Sequence, residues 1–200
     1  IYELYQALTP ASFRHQLVKV TYVNTGKRKY KIKKIGLLIE DEDNLASRVD
    51  GTLVDEFGIN WEDLDMLSAE LVASFQYLIG NTDWSIPMQR NIKFIQPADG
   101  GKMIMIPYDF DMTAIVNPVY GVPNPDLPIE TLAQRYYLGT VTPSKQTIDF
   151  LKSKRESLKQ ICEDFTYLPK SSRKKIIKYI DTFFEELETD MAFEFQEDKE

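Results

Sequence analysis

Residues 106–112 read Ile-Pro-Tyr-Asp-Phe-Asp-Met, and they constrain this chain more than any other stretch. An apolar run over residues 103–108, broken only by Pro107, delivers two carboxylates, Asp109 and Asp111. Side chains at i and i+2 of an extended segment share a face, so both acids point the same way. Two carboxylates at the end of a buried strand are costly unless a cation compensates them, most simply a divalent metal. A second polar cluster, Gly80-Asn81-Thr82-Asp83-Trp84-Ser85 followed by Asn91, lies upstream. The two clusters bracket one expected hairpin, which lets them converge in space.

The pattern around that hairpin predicts an α+β fold. Leu17 to Val23 alternates apolar and polar residues, Ile32 to Ile39 does so loosely, and Asn24-Thr25-Gly26 supplies turn chemistry between them. The second arm carries Lys27, Arg28, Lys29, Lys31, Lys33 and Lys34, read as a solvated strand face guarded against edge pairing. Leu64, Leu67, Leu71, Phe75 and Leu78 recur at helical spacing, and Gly80-Asn81 ends that helix. A second hairpin is expected from residues 91–96 and 103–108. Five prolines between residues 118 and 143 mark a long loop, with a short helix expected near 129–137. Two helices close the chain. The first is expected to begin at Thr142-Pro143 with proline at its first position and to bury Ile148, Leu151, Leu158, Ile161 and Phe165. The second buries Ile176, Ile177, Ile180, Phe183, Phe184 and Leu187. The expected division is 1–60 as a hairpin and hinge-like segment, 61–184 as a helical region with the carboxylate-bearing hairpin, and 185–200 as an acidic tail.

Charge narrows the function classes. The net charge of −7 resides in residues 185–200, which hold eight acids and one lysine; the other 184 residues balance at 23 against 23. That balance gives no electrostatic case for nucleic acid. No apolar run reaches membrane-spanning length. The one cysteine, Cys162, excludes an internal disulfide and sits in a helical pattern, where a buried thiol is expected.

Phosphoryl transfer needs one carboxylate to orient the attacking hydroxyl and a few oxygen ligands to hold metal on the phosphates. Asp83, at a helix–loop junction, suits the first role; Asn91 and Asp109, at the mouth and far end of the hairpin, suit the second. An Asp, an Asn leading a strand, then a strand ending in Asp-Phe is the order of protein-kinase-like folds. Here the interval from Asp83 to Asn91 is longer than the usual catalytic loop. Asp109-Phe110-Asp111-Met112-Thr113 also satisfies the D-x-D-x-T nucleophile motif of a phosphatase class, which needs a doubly wound parallel sheet. A metal-dependent glycosyltransferase could use the same pair of acids. No strand–helix alternation follows Thr113 to support either.

Taken with Gly36, Glu40, Asp43, Leu45 and Arg48 upstream, the runs Phe-Gln-Tyr-Leu-Ile-Gly-Asn-Thr-Asp at 75–83, Asn-Ile-Lys-Phe at 91–94 and Pro-Tyr-Asp-Phe-Asp at 107–111 resemble the spore-coat-protein-H (CotH) kinase family. The resemblance covers roughly residues 15 to 120. It implies an atypical protein-kinase-like fold, mainly the helical C-terminal lobe with part of the N-terminal-lobe hairpin. It also implies ATP with Mg or Mn as cofactors, and phosphorylation of Ser or Thr on a secreted, surface or coat protein of a bacterium. By matching motif, Asp83 is the expected catalytic residue. Asn91 and Asp109 are the expected metal ligands, Asp111 a further metal ligand or a structural carboxylate, with Glu40 and Arg90 on the cofactor side. The family's phosphate-gripping lysine would precede Ile1, so the 200 residues alone are expected to fold without phosphorylating a substrate. The contrasting reading is an inactive kinase-like interaction domain.

Overall fold

The computed structural model describes residues 1–189 and 193. It is α+β, with five helices and two small antiparallel sheets among those residues. A short helix α1 (Tyr2–Gln6) precedes a long hairpin of β1 (His15–Asn24) and β2 (Tyr30–Ile39), paired antiparallel from His15↔Ile39 to Asn24↔Tyr30. Then come α2 (Glu42–Arg48), β3 (Gly51–Val54) and α3 (Met66–Ile79). The second hairpin is β4 (Ile92–Pro97) and β5 (Ile104–Pro107), with β3 on the other edge of β4 to give the order β3-β4-β5. Helices α4 (Lys145–Asp164) and α5 (Lys170–Glu188) close the chain.

Both hairpins and the two closing helices stand where the sequence places them; the helix ends and two small elements do not. Sequence patterning overlooks α2 and β3. The acidic run that begins at Glu40 is a helix start, in which Asp41 accepts from the backbone N–H groups of Asp43 and Asn44. Glu42 and Asp43 occupy its first turn and Arg48 its last, as the helix dipole favours. Leu64 lies ahead of α3, whose N-cap is Asp65, and Leu67 is exposed. The helix instead buries Ala69, Val72, Ala73, Phe75, Leu78 and Ile79 on several sides, as a central helix must. No helix forms over 129–137, where the chain makes turns and bends. Ser144 rather than Thr142 caps α4, its side chain accepting from Thr147 N, so Pro143 stands outside the helix. Helix α5 runs on through Glu188 with Leu187 buried, so the acidic segment begins inside it; residues 190–192 and 194–200 of that segment lie outside the described residues.

The main core gathers α3, α4, α5, α1 and the inner faces of β4 and β5, centred on Phe75, Phe94, Phe183 and Phe184. A smaller core of Phe13, Leu45, Ala46, Ile95 and Ile106 seals α2 against the other face of that sheet. Cys162 is buried in the main core, and desolvation pushes its thiol up to about 11, which suits a packing role. No helix of the described residues is long and apolar enough to cross a membrane.

Candidate functional site

Asp83 is set in place by the end of α3. Gly80 adopts φ +64°, and a Cβ there would come within 2.5 Å of Ala114 Cβ, so the helix can stop at this point only on glycine. Asn81, buried behind it, donates to Gln76 Oε1 at 3.0 Å and accepts from Asp83 N at 2.9 Å. That side-chain turn fixes the backbone of Asp83. The long interval to Asn91 then folds back on itself: Ser85 and Arg90 exchange backbone hydrogen bonds of 3.0 Å in both directions, and Ile86 is buried beneath. The extra residues form a small closed loop that returns the chain to Asp83.

Asn91 arrives with its Nδ2 donating to the Asp83 backbone oxygen at 2.7 Å and to Asp83 Oδ2 at 3.1 Å. Among the described residues no hydrogen bond uses its Oδ1, the end available to a cation. Arg90 Nε lies 3.3 Å from Asp83 Oδ1, so Asp83 is held through both oxygens.

The far end of the hairpin returns to the same place. Tyr108 N donates to Asn91 O at 3.0 Å, and Ala114 N donates to Gly80 O at 3.0 Å. These bonds tie the segment carrying Asp109 and Asp111 to the segment carrying Asp83. Asp109 N donates to Tyr2 Oη at 3.1 Å, and the Tyr2 ring packs edge-on against Phe110 at 4.9 Å. Phe110 is buried against Phe75, while Asp109 and Asp111 remain exposed. Tyr120 Oη donates to Asp111 Oδ2 at 3.0 Å. Asn91 and Asp109 both carry positive φ, 57° and 53°. Asn and Asp tolerate that region best after glycine, and such outliers concentrate at functional sites.

The electrostatics are unbalanced at one atom group. Desolvation, then the charge of Asp111 and that of Asp83, push the Asp109 carboxyl above its ordinary range. Among the described residues no lysine or arginine pairs with Asp109 or Asp111, whereas Asp83 has Arg90. A hard divalent cation answers that arrangement: it prefers oxygen donors, and Mg²⁺ takes one or two carboxylates with the rest of its shell from phosphates and water. The donors present, Asp109, Asn91 Oδ1 and Asp111, fit such a partial shell. Among the described residues no group of three or more His, Cys, Asp or Glu forms a cage for a metal by itself.

Glu40 has a different occupation. Arg48 grips it through Nε to Oε1 at 3.0 Å and Nη2 to Oε2 at 2.8 Å, and Arg14 N donates to Oε2 at 3.0 Å. The Arg48 contact holds this carboxyl below its usual range. Arg48 also donates to Pro10 O and Ser12 O, so the pair rivets the base of the β1–β2 hairpin to α2. Asp83, Asn91, Arg90, Asp109 and Asp111 thus belong to one neighbourhood, while both oxygens of Glu40 are spent on the hairpin base. Sequence reasoning missed Tyr2 and Tyr120. Nothing marks Tyr2, 107 residues from its partner, whereas Tyr120 stands out as a tyrosine in the uncharged stretch just after the acids. Tyr2 also lines an apolar cavity of about 680 Å³ with Leu4, Leu17, Leu37, Ile161 and Ile176; none of the site's carboxylates faces it.

Comparisons of this chain with protein-family models, with curated proteins and with solved structures find no match.

Proposed function

We propose that this chain is the catalytic-lobe portion of an atypical, CotH-like protein kinase that uses ATP and Mg or Mn to phosphorylate Ser or Thr of a protein. The observation that carries the reading is the gathering of Asp83, Asn91 and Asp109, with the Asp109 carboxyl raised by desolvation and then by its acidic neighbours, and with no lysine or arginine paired with it among the described residues. The chain order supports it: a capped helix, an Asp loop, an Asn-led strand, and a strand that ends at Pro107 just before Asp109-Phe110-Asp111, where Asp109 turns to φ +53° instead of continuing the strand as the sequence pattern expects. The sheet that ends just before Asp109 is antiparallel, which favours this reading over the D-x-D-x-T phosphatase, whose motif belongs to a parallel sheet.

In this reading Asp109 and Asn91 Oδ1 would hold the metal, with Asp111 as a further oxygen donor that Tyr120 orients. The metal, when bound, neutralises charge on the transferring phosphoryl group. Asp83 accepts the proton of the substrate hydroxyl as its oxygen attacks the γ-phosphorus and ADP departs. Its bond from Asn91 keeps that carboxylate beside the metal ligand. Arg90 restrains Asp83 and offers a cation to phosphate. Glu40 acts at one remove, by fixing the hairpin base. A secreted or surface location follows from the family resemblance.

One observation favours a second reading, an inactive interaction domain: both oxygens of Asp83 are engaged, by Asn91 and by Arg90. Calorimetric titration with ATP and Mn²⁺ separates the two. An active-type site predicts that Asp109→Asn abolishes metal-dependent binding while Asp83→Asn keeps it. Absence of binding in the unaltered chain, or equal loss in both variants, refutes the proposed assignment.

A further inference from the structure

The β1–β2 hairpin holds the largest group of exposed apolar side chains, and its composition is unlike the rest of the chain. Residues 15–39 contain Lys19, Lys27, Arg28, Lys29, Lys31, Lys33 and Lys34 and no Asp or Glu. The other 175 residues carry 17 Lys or Arg against 31 Asp or Glu. Within the same hairpin Tyr22, Val23, Tyr30, Ile32, Ile35, Leu37, Leu38 and Ile39 are exposed. Neither strand pairs with a third strand among the described residues. Two-stranded sheets are marginal in water, and an open edge with apolar neighbours is a template for another strand.

The two edges are not equivalent. Half of β1 is partly buried, but every residue of β2 except Gly36 is exposed. Strand β2 also holds three of the cations, Lys31, Lys33 and Lys34, where β1 holds one. In the observed register Lys31, Lys33, Ile35, Leu37 and Ile39 share one face, so that face is cationic toward the tip and apolar toward the body. Tyr30, Ile32, Lys34 and Leu38 lie on the other face, which is apolar except at Lys34.

We propose that the free edge of β2 receives an added extended strand from a protein partner, acidic where it passes Lys31 and Lys33 and apolar where it passes Ile35 and Leu37. Main-chain bonds to β2 supply the attachment, and the lysines that guard this edge against ordinary strands supply the selection for an acidic one. The acidic remainder of the chain repels such a strand elsewhere, which directs it to the hairpin. Nucleic acid would satisfy the lysines but leave the aliphatic row of Ile35, Leu37 and Ile39 in water, so the observations favour polypeptide.

The test is a ¹⁵N NMR titration of the 200-residue chain at low salt. The probe is a ten-residue synthetic peptide with Glu-Glu-Val-Val-Val on one face and threonine on the other. Shift changes should be confined to residues 15–39, and the β2 amides that face away from β1 should gain protection from exchange. Lys31→Glu with Lys33→Glu, two exposed changes that spare the fold, should weaken binding at least tenfold, and a peptide with lysine for glutamate should not bind. No response in β2, or no effect of the double variant, overturns the proposal. An equal response to a ten-nucleotide uridine RNA would reassign the surface to nucleic acid, and sedimentation showing self-association through β2 without peptide would reassign it to a second copy; both overturn it.

Discussion

The molecule contains two antiparallel hairpins with opposite fates. The long one, β1–β2, has ten residues in each arm, with half of β1 and all of β2 except Gly36 exposed to water. The short one, β4–β5, has six and four, yet Ile92, Phe94, Ile95, Met105 and Ile106 are almost wholly buried. Strand length therefore says little about rigidity; what covers the strands decides it. The short hairpin is roofed by α3 on one face and by α2 with Phe13 on the other, and β3 closes one edge. It is the one that carries the carboxylates. A site that must hold charged groups in strained conformations needs a rigid mount, whereas a surface that recruits a strand needs an open edge.

The sharpest way to break this contrast is truncation on each hairpin. Phe94→Ala removes a fully buried ring and should cost about 3–5 kcal/mol in urea unfolding. Leu38→Ala removes an exposed side chain and should stay within about 0.5 kcal/mol. Similar losses in the two would mean that the long hairpin is packed after all.

A middle-sized effect belongs to the joint between the hairpins. Arg48 and Glu40 are mostly buried, at 19% and 11% side-chain exposure, and Arg48 holds two carbonyls besides. Arg48→Ala should cost about 1.5–3 kcal/mol, since a charge-assisted network loses its donor. Hydrogen exchange should show the β1–β2 amides opening further while those of β4–β5 keep their protection. Uniform loss of protection would place the joint inside the core rather than between regions.

Smallest and opposite in sign is Asp109→Asn. The folded chain raises this carboxyl above its ordinary value of 3.8, so the native state binds more protons than the unfolded chain in the window above that value. Its contribution to stability therefore falls as pH rises through the window, and ionised Asp109 opposes folding at neutral pH. Asp109→Asn should raise the urea midpoint slightly at pH 7 and lose that advantage at pH 3. Glu40 behaves conversely: its carboxyl is lowered, so its contribution is complete above 4.5 and disappears as pH falls through the folded value. Urea midpoints from pH 3 to pH 7 for the unaltered chain, Asp109→Asn and Glu40→Gln check both signs.

Much of the rigid hairpin was legible in the sequence. Residues 91–96 and 103–108 flank turn chemistry at 97–101, and that hairpin fixes where Asn91 and Asp109 stand. Gly80-Asn81 announced the stop of α3 and hence the position of Asp83. The acidic run at 40–43 hid α2, because charge balance with the preceding lysines explained the same residues without a cap. Strand β3 is four residues long with a glycine, too short for a period to show. The expected helix over 129–137 fails because that segment packs through Arg135, buried against Tyr179 and bonded to Glu186 and Thr182, rather than through an apolar stripe. The Ser85–Arg90 closure, which keeps a long loop compact, depends on backbone pairing that no residue type signals.

The central claim is that Asn91, Asp109 and Asp111, with Asp83 beside them, form one proposed cation site completed by nucleotide phosphates. Adding substoichiometric Mn²⁺ with ATP to ¹⁵N-labelled chain tests it directly, because the paramagnetic ion broadens only nearby amides. The account predicts selective broadening at these four residues, greater with ATP than without it, and its loss in Asp109→Asn. Unaltered signals at Asp83, Asn91 and Asp109, or broadening that survives Asp109→Asn, would contradict it.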